Sequence, residues 1–224
     1  MNILIVSATT MEIDPLLSQF NFQKDSSNYL KNYSYRTHRI DVLITGIGMT
    51  STAFWLGKTL SSNKYDAVIN LGLAGSFEDT IVVGDTVQVI SDQFSELGAE
   101  DGDSFLSLKE MNLSEEAIFT NGVLKNSYSI KNSIIDAIPK VKGITVNTTH
   151  GNEQSIQKVR ELHHPQTESM EGAAFLYACL MEKVTCAQIR TISNKVERRN
   201  KDNWDIPLAV KNLCTNGLEI INSL

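Results

Sequence analysis

Short apolar runs separated by amphipathic stretches set the pattern of this chain. Residues Asn2–Ser7 (NILIVS), 40–45 (IDVLIT), 67–71 (AVINL) and 86–90 (TVQVI) are rich in β-branched side chains. The first three are apolar at almost every position, unlike a strand with one wet face, so they predict strands covered on both sides. Between them, residues 51–60 carry a helical pattern. Near the C-terminus Ile206, Val210, Leu213, Gly217 and Ile220 recur at spacings of three and four, the period of a helix with one buried stripe. Asp205 can cap that helix, and Pro207 suits its first turn, where the missing N–H costs nothing. Strand-like runs return at 144–147 and 187–193, after a polar stretch, 96–132, that reads as a surface excursion. Strands alternating with helices predict an α/β layer structure with a largely parallel sheet. Neither a Pro/Gly/Ser-rich hinge nor a repeat divides the chain, so residues 1–224 are read as one domain.

Composition narrows the functional classes. At 224 residues and 42% hydrophobic content, the chain can bury a substantial single core. A net charge of −6 with no Lys/Arg-rich run leaves no basic footprint for a polyanion, so nucleic acid is not an expected partner. The opening run is only strand length, lacks a basic leader and meets Thr9, Thr10 and Glu12 where a signal peptide would have small residues. No apolar segment approaches the roughly 20 residues of a membrane span, so no membrane partner is expected. Cys179, Cys186 and Cys214 are odd in number and show no C-x-x-C spacing, which suits reduced thiols in a cytoplasmic protein.

Three segments at the ends of apolar runs carry polar groups suited to chemistry. In SATTMEID, Glu12 follows the opening strand, and ligands of α/β sheets sit beyond the carboxyl ends of strands. The same carboxylate also fits a plain helix start, where the macrodipole favours an acid. In ESMEGAAFLYACLMEK, Glu168 and Glu171 precede a helix apolar around most of its circumference, which places Glu171 at the mouth of the interior. An unpaired carboxylate there is costly, and either a sugar diol or backbone N–H groups would satisfy it. In AQIRTISNKVERR, Arg190 lies in an apolar strand and needs a carboxylate, for which Glu12 is a candidate, while Asn194 closes the strand, a position where Asn is commonly a turn former. His163 and His164 are adjacent and lack the spacing of a metal pair, so no metal is expected. TGIGMTS falls short of the full G-x-G-x-x-G pattern, which speaks against a dinucleotide. No cofactor is expected.

Taken together and in this order, the opening strand with Glu12, the glycine turns TGIGMTS and NLGLAGSF, the following VVGDTV, the SMEG helix entry and RTISN resemble the nucleoside phosphorylase and nucleosidase superfamily. The resemblance is to its hydrolase branch, which includes methylthioadenosine/adenosylhomocysteine nucleosidase. It spans nearly the whole chain and implies a single-domain three-layer α/β/α fold with a central mixed, largely parallel twisted sheet. It also implies a small-molecule purine nucleoside as substrate and a homodimer or larger homo-oligomer. Within that branch, SMEGAAF, RTISNKVERR and WDIPLA look most like the futalosine hydrolases, which release hypoxanthine in the alternative menaquinone route.

The resemblance assigns roles residue by residue. Glu12 would hold the attacking water and act as general base, with Arg190 helping to orient it. Glu171 would grip the ribose hydroxyls, with Met170 packed beside the sugar. Ala74 and Gly75 would let the backbone approach the ligand, and Ser193 would join them in substrate binding. Asn194 falls where adenine-specific relatives carry an aspartic acid. Adenine offers an acceptor at N7 beside a donor amine, whereas hypoxanthine offers two acceptors, N7 and O6, both of which an amide NH2 can serve. Asn194 therefore points to a 6-oxopurine. Leu73 replaces a hydroxyl that some nucleosidases use to hold water. In THGNEQ, Gln154 stands near the place of an aromatic residue, so the Asn152 and Gln154 amides are candidates for the purine edge. Arg198 and Arg199 are candidates for a carboxylate on the C5′ side, or simply a solvated basic loop.

Three rival readings remain: a methylthioadenosine-type nucleosidase that tolerates Asn194, a phosphorylase, and a catalytically silent nucleoside-binding module. The Glu12 carboxylate would repel an incoming phosphate, and Glu12, Glu171 and Arg190 together argue against silence.

Overall fold

The computed structural model describes residues 1–102, 104–113 and 117–224. Strand β1 (Asn2–Ser7) shows why the opening run is apolar throughout. Ile3 and Ile5 pack on one side with Ile13, Leu16, Leu213 and Ile220, while Leu4 and Val6 meet Leu56, Leu60, Phe175 and Leu176 on the other. Alternate side chains of one strand thus feed two cores, the signature of a sheet buried between two helical layers.

Along the chain follow α1 (Thr10–Leu17), β2 (Asn21–Asp25), β3 (Leu30–Tyr35), β4 (His38–Ile44), α2 (Met49–Ser62), β5 (Ala67–Ser76) and β6 (Thr86–Asp92). A small hairpin, β7 (Gly98–Asp101) and β8 (Ser104–Ser107), precedes β9 (Phe119–Thr120), β10 (Val123–Lys125), α3 (Ser133–Ala137) and β11 (Lys140–Thr145). The chain closes with α4 (Glu153–His163), β12 (Thr167–Ser169), α5 (Gly172–Met181), β13 (Cys186–Lys195) and α6 (Ile206–Asn222). Helices α1, α3 and α6 cover one face of the sheet, and α2 and α5 the other. This is the expected three-layer α/β/α arrangement. Asp205 caps α6 by accepting from the Leu208 N–H at 2.9 Å, with Pro207 in its first turn.

The sheet is mixed. Strand β1 runs parallel to β4 and β5, and β11 runs parallel to β12 and β6, whereas β2, β3, β9 and β10 add antiparallel pairs at the flanks. Strand β13 pairs with both β5, in parallel, and β6, antiparallel, so β5, β12, β11, β6 and β13 close into a ring. The sequence predicted no such closure. Its cause is length and curvature: β5 and β13 each run ten residues, and a bulge in β13 raises the local twist. The polar stretch 96–132 is not all excursion, because β10 joins the main sheet against β6.

Candidate active site

The carboxyl end of β1 and the start of α1 hold Glu12. Glu12 is the third residue of α1, and its Oε2 reaches back to accept from the Thr9 N–H at 3.0 Å, one arm of a capping box. Thr9 Oγ1 at 3.0 Å and Ser7 Oγ at 3.2 Å donate to the same oxygen. The Leu73 N–H donates to Oε1 at 3.1 Å. Glu12 thus finishes a helix start and is buried and fixed at a strand end.

Arg190 lies on β13 and is 1% exposed. Its Nη2 donates to Asn70 Oδ1 at 2.8 Å, and Nη1 to the Leu73 carbonyl at 3.2 Å and to Glu171 Oε2 at 3.4 Å. The carboxylate that Arg190 meets is therefore Glu171. Glu12 stands across Gly72: a Cβ there would lie 2.3 Å from Arg190 Nη1 and 3.4 Å from Glu12 Oε1. Gly72 exists to let the guanidinium cross the strand. Leu73, which offers no hydroxyl, instead uses its N–H to hold Glu12 and its carbonyl to hold Arg190.

Glu171 ends the buried segment before α5, whose apolar surface is enclosed on nearly all sides, and Met170 beside it is half-buried. Its Oε1 accepts from the Gly48 N–H at 3.0 Å. Gly48 adopts φ 97°, a left-handed backbone that glycine tolerates best, so the TGIGMTS turn serves to aim this N–H at Glu171. Sequence reasoning singled out that turn without assigning it a task, and Gly48 and Asn70 are contacts it missed.

Asn194 and Ser193 sit at the bulge of β13. Ile192 pairs with Ala74 and Asn194 with Gly75, so Ser193 is the unpaired residue. Bulges re-aim side chains at sheet ends, and here Asn194 turns toward Gly75, where a Cβ would lie 3.2 Å from its Nδ2. Asn194 Nδ2 donates to the Lys195 carbonyl at 2.8 Å, and Oδ1 accepts from Ser193 Oγ at 2.8 Å. One amide hydrogen remains for a ligand. Asn194 and Gly75 line a cavity of about 60 Å³ with His150, Glu168, Arg199 and Trp204. Arg198 and Arg199 are both exposed, and Arg199 packs over the Trp204 ring at 5.1 Å.

Asn152 and Gln154 lie elsewhere. The Asn152 side chain caps α4, accepting from the Gln154 and Ser155 N–H groups at 3.0 and 3.3 Å, and both Asn152 and Gln154 are exposed. Behind Arg190 lies a buried polar layer that the sequence did not reveal. Asp92 accepts from Gln188 Nε2 at 2.8 Å and Thr145 Oγ1 at 3.0 Å, and burial pushes its carboxyl up to about 7 against those hydrogen bonds and the Arg190 charge. Among the described residues no group of three or more His, Cys, Asp or Glu side chains is placed to hold a metal. No helix among them is long and apolar enough to cross a membrane.

Comparison with known proteins joins this geometry to a family. The profile of the phosphorylase superfamily matches residues 2–222. The chain belongs to that superfamily. Among curated members it is 27% identical over 212 residues to the futalosine hydrolase of Acidothermus cellulolyticus, covering 94% of this chain and 86% of that one. With the Thermus thermophilus futalosine hydrolase it shares 26% identity over 162 residues, 72% of each chain. Among solved structures, Helicobacter pylori futalosine hydrolase superposes with a TM-score of 0.83 at 15% identity over 100% of this chain and 98% of that one. A Neisseria meningitidis methylthioadenosine/adenosylhomocysteine nucleosidase gives 0.81 at 16%, covering 100% and 99%. These superpositions establish the superfamily fold over the whole described chain.

Proposed function

We propose that this phosphorylase-superfamily chain hydrolyses the N-ribosidic bond of futalosine, releasing hypoxanthine and dehypoxanthine futalosine in a cytoplasmic route to menaquinone. The chain is an N-glycosidic bond hydrolase in this reading. The observation that carries the choice of substrate is Asn194, an amide at the ring position facing Gly75, where the resemblance puts an aspartic acid in adenine-specific relatives. The relatives named futalosine hydrolase add support from the whole sequence.

Departure of the base leaves positive charge on the ribose and negative charge on the purine, so catalysis needs a held water, a gripped sugar and a stabilised base. Glu12 is the base toward water. Three protein donors fix its Oε2, and Oε1, held by the Leu73 N–H, presents its remaining lone pair to the water without reorganisation. Arg190, with its Nη1 beside Gly72, positions Glu171 and the Leu73 carbonyl and keeps the carboxylate pair from repelling. Glu171 accepts from the ribose 2′- and 3′-hydroxyls with the lone pairs left by Gly48 and Arg190, and Met170 packs against the sugar. Asn194, with Ser193, Ala74 and Gly75 around it, turns its remaining amide hydrogen to the N7/O6 edge of the base. The 60 Å³ cavity is smaller than a purine, so binding the base requires its lining side chains to give way. The active unit is a homodimer or larger assembly, a reading supported by exposed Ile47 and Phe54 flanking the start of α2.

The deciding experiment is chromatography of the bases freed from futalosine, inosine and methylthioadenosine by the purified protein in phosphate-free buffer. Hypoxanthine from futalosine is expected to appear far faster than adenine from methylthioadenosine. Equal or reversed rates would overturn the substrate, and a requirement for phosphate would overturn hydrolysis.

A further inference from the structure

Helix α5 begins at Gly172, and Glu171 is its N-cap. A polar N-cap side chain normally turns back to accept from the second or third N–H of its own helix, donors that the helix start leaves open. Glu171 makes no such bond. Its backbone, at φ −127° and ψ −22°, lies outside the extended region typical of a capping residue. Its oxygens face the Gly48 N–H at 3.0 Å and Arg190 at 3.4 Å instead. Glu12 behaves in the opposite way, since its Oε2 closes the capping box of its own helix, α1.

Other residues cap α5. The Gly172 N–H donates to Ser169 Oγ at 3.2 Å, and the Ala173 N–H to Thr145 Oγ1 at 2.7 Å. Thr145 closes β11 and Ser169 closes β12, and the two are direct partners in the parallel register, so both hydroxyls stand under the start of the helix. Glu168, the residue before, alternates to the other side and accepts from the His150 N–H at 3.0 Å. Thr145 Oγ1 gives its own hydrogen to Asp92 Oδ1 at 3.0 Å, which leaves its lone pairs for Ala173. Asp92 also lies directly against the helix start: a Cβ on Gly172 would stand 2.2 Å from Asp92 Oδ2. A carboxyl group there meets the positive end of the α5 dipole, which an N-cap acid would otherwise do. Thr145, Ser169 and Asp92 are all buried, so water does not replace a lost partner.

We infer that Thr145 and Ser169 are positioning residues for Glu171: by capping α5 in its place, they free its carboxylate to receive the 2′- and 3′-hydroxyls of a riboside. This rests on the reading that Glu171 grips the ribose. A buried N–H without an acceptor is costly, and Glu171 is the adjoining residue with oxygens to offer. Once either hydroxyl is removed, the carboxylate is drawn back onto its own helix and away from the sugar.

The test reads the ratio of kcat/KM for a riboside to that for its 2′-deoxy analogue. It uses whichever of futalosine, inosine and methylthioadenosine the wild-type protein cleaves fastest, so the outcome does not depend on the base. Thr145→Val, which keeps the shape and removes the acceptor, is expected to cut the ratio about tenfold, and Thr145→Ser to hold it at the wild-type value. A purely structural Thr145 would lower both rates together, and an unchanged ratio in Thr145→Val would overturn the assignment. Ser169→Ala keeps the proposal open to refutation if Thr145→Val does not fold: its ratio is expected to fall about threefold, and an unchanged ratio would remove Ser169. A crystal structure of either variant needs no turnover and should show a Glu171 oxygen within hydrogen-bond distance of the freed N–H; Glu171 still seated on Gly48 would overturn the proposal. Glu171→Gln separates the two levels. If it leaves the ratio unchanged, the ribose reading fails and the positioning role falls with it; if it collapses the ratio while Thr145→Val and Ser169→Ala do not, only the positioning role fails.

Discussion

Glu12 and Glu171 are buried to a similar degree, 8% and 6% exposed, but they are held in opposite ways. Glu12 is enclosed by donors from β1, from the start of α1 and from Leu73 of β5, and three of the four contact a single oxygen. Glu171 has one N–H from Gly48 and a longer contact with Arg190. Three donors fix Glu12 Oε2, while Oε1 meets the Leu73 N–H and keeps an open lone pair, as a base toward water needs. Glu171, with more lone pairs to spare, suits binding of hydroxyls, because a ligand completes its shell. In the proposed reaction the two acids divide the work between chemistry and grip, and Arg190 stands between them.

That division can be broken most directly at Glu12. Glu12→Gln should lower kcat by roughly three orders of magnitude with KM nearly unchanged, since about 4 kcal/mol of barrier lowering is lost at the chemical step. Glu171→Gln should lower kcat/KM by about a hundredfold on ribosides, and by much less on a 2′-deoxyriboside, which already lacks one of the hydroxyls. Equal losses on both sugars would show that Glu171 does not grip the diol. Asp92 sharpens the comparison from behind Arg190. Its folded-state pKa of about 7 stands above the ordinary 3.8, so the folded state binds the extra proton between those values, and stability falls as pH rises through 7. Thermal unfolding between pH 5 and 8 should show a decline of order 1 kcal/mol per pH unit over part of that window, and Asp92→Asn should flatten it. The smallest effect belongs to Asn152, which lies outside both acid sites. Asn152→Ala should cost about 1 kcal/mol of stability through the lost α4 cap while kcat/KM stays at the wild-type value.

The sequence displayed the parts of this site better than their pairings. Glu12 follows an apolar run, Glu171 precedes one, Arg190 lies inside one and Asn194 closes it, and polar residues at such places are visible without coordinates. The partner of Arg190 was not visible, because it depends on how β13 packs against the β12–α5 junction. Closure of the ring was equally hidden, since periodicity gives strand length and face but says nothing about which edges meet. Strand β2, NFQKD, is exposed at every position and offered no apolar alternation to find. Glu168 had one available signal: Thr167, Glu168 and Ser169 are three successive polar residues just before a strongly apolar helix, where polar side chains that enter the interior must have partners. The Asp92 and Gln188 layer left less trace, as single polar letters inside otherwise apolar strands.

The ring of β5, β12, β11, β6 and β13 has a consequence for motion. Gly72, Leu73, Ala74, Gly75, Glu168, Arg190 and Asn194 all lie on strands of a circuit with no free border, so their amide protons reach solvent deuterium only when the whole circuit opens. The β2–β3 end of the sheet, with a bare outer margin, can fray by itself. Deuterium should therefore enter that flap long before it reaches the frame around the cavity, and loss of the frame should coincide with global melting.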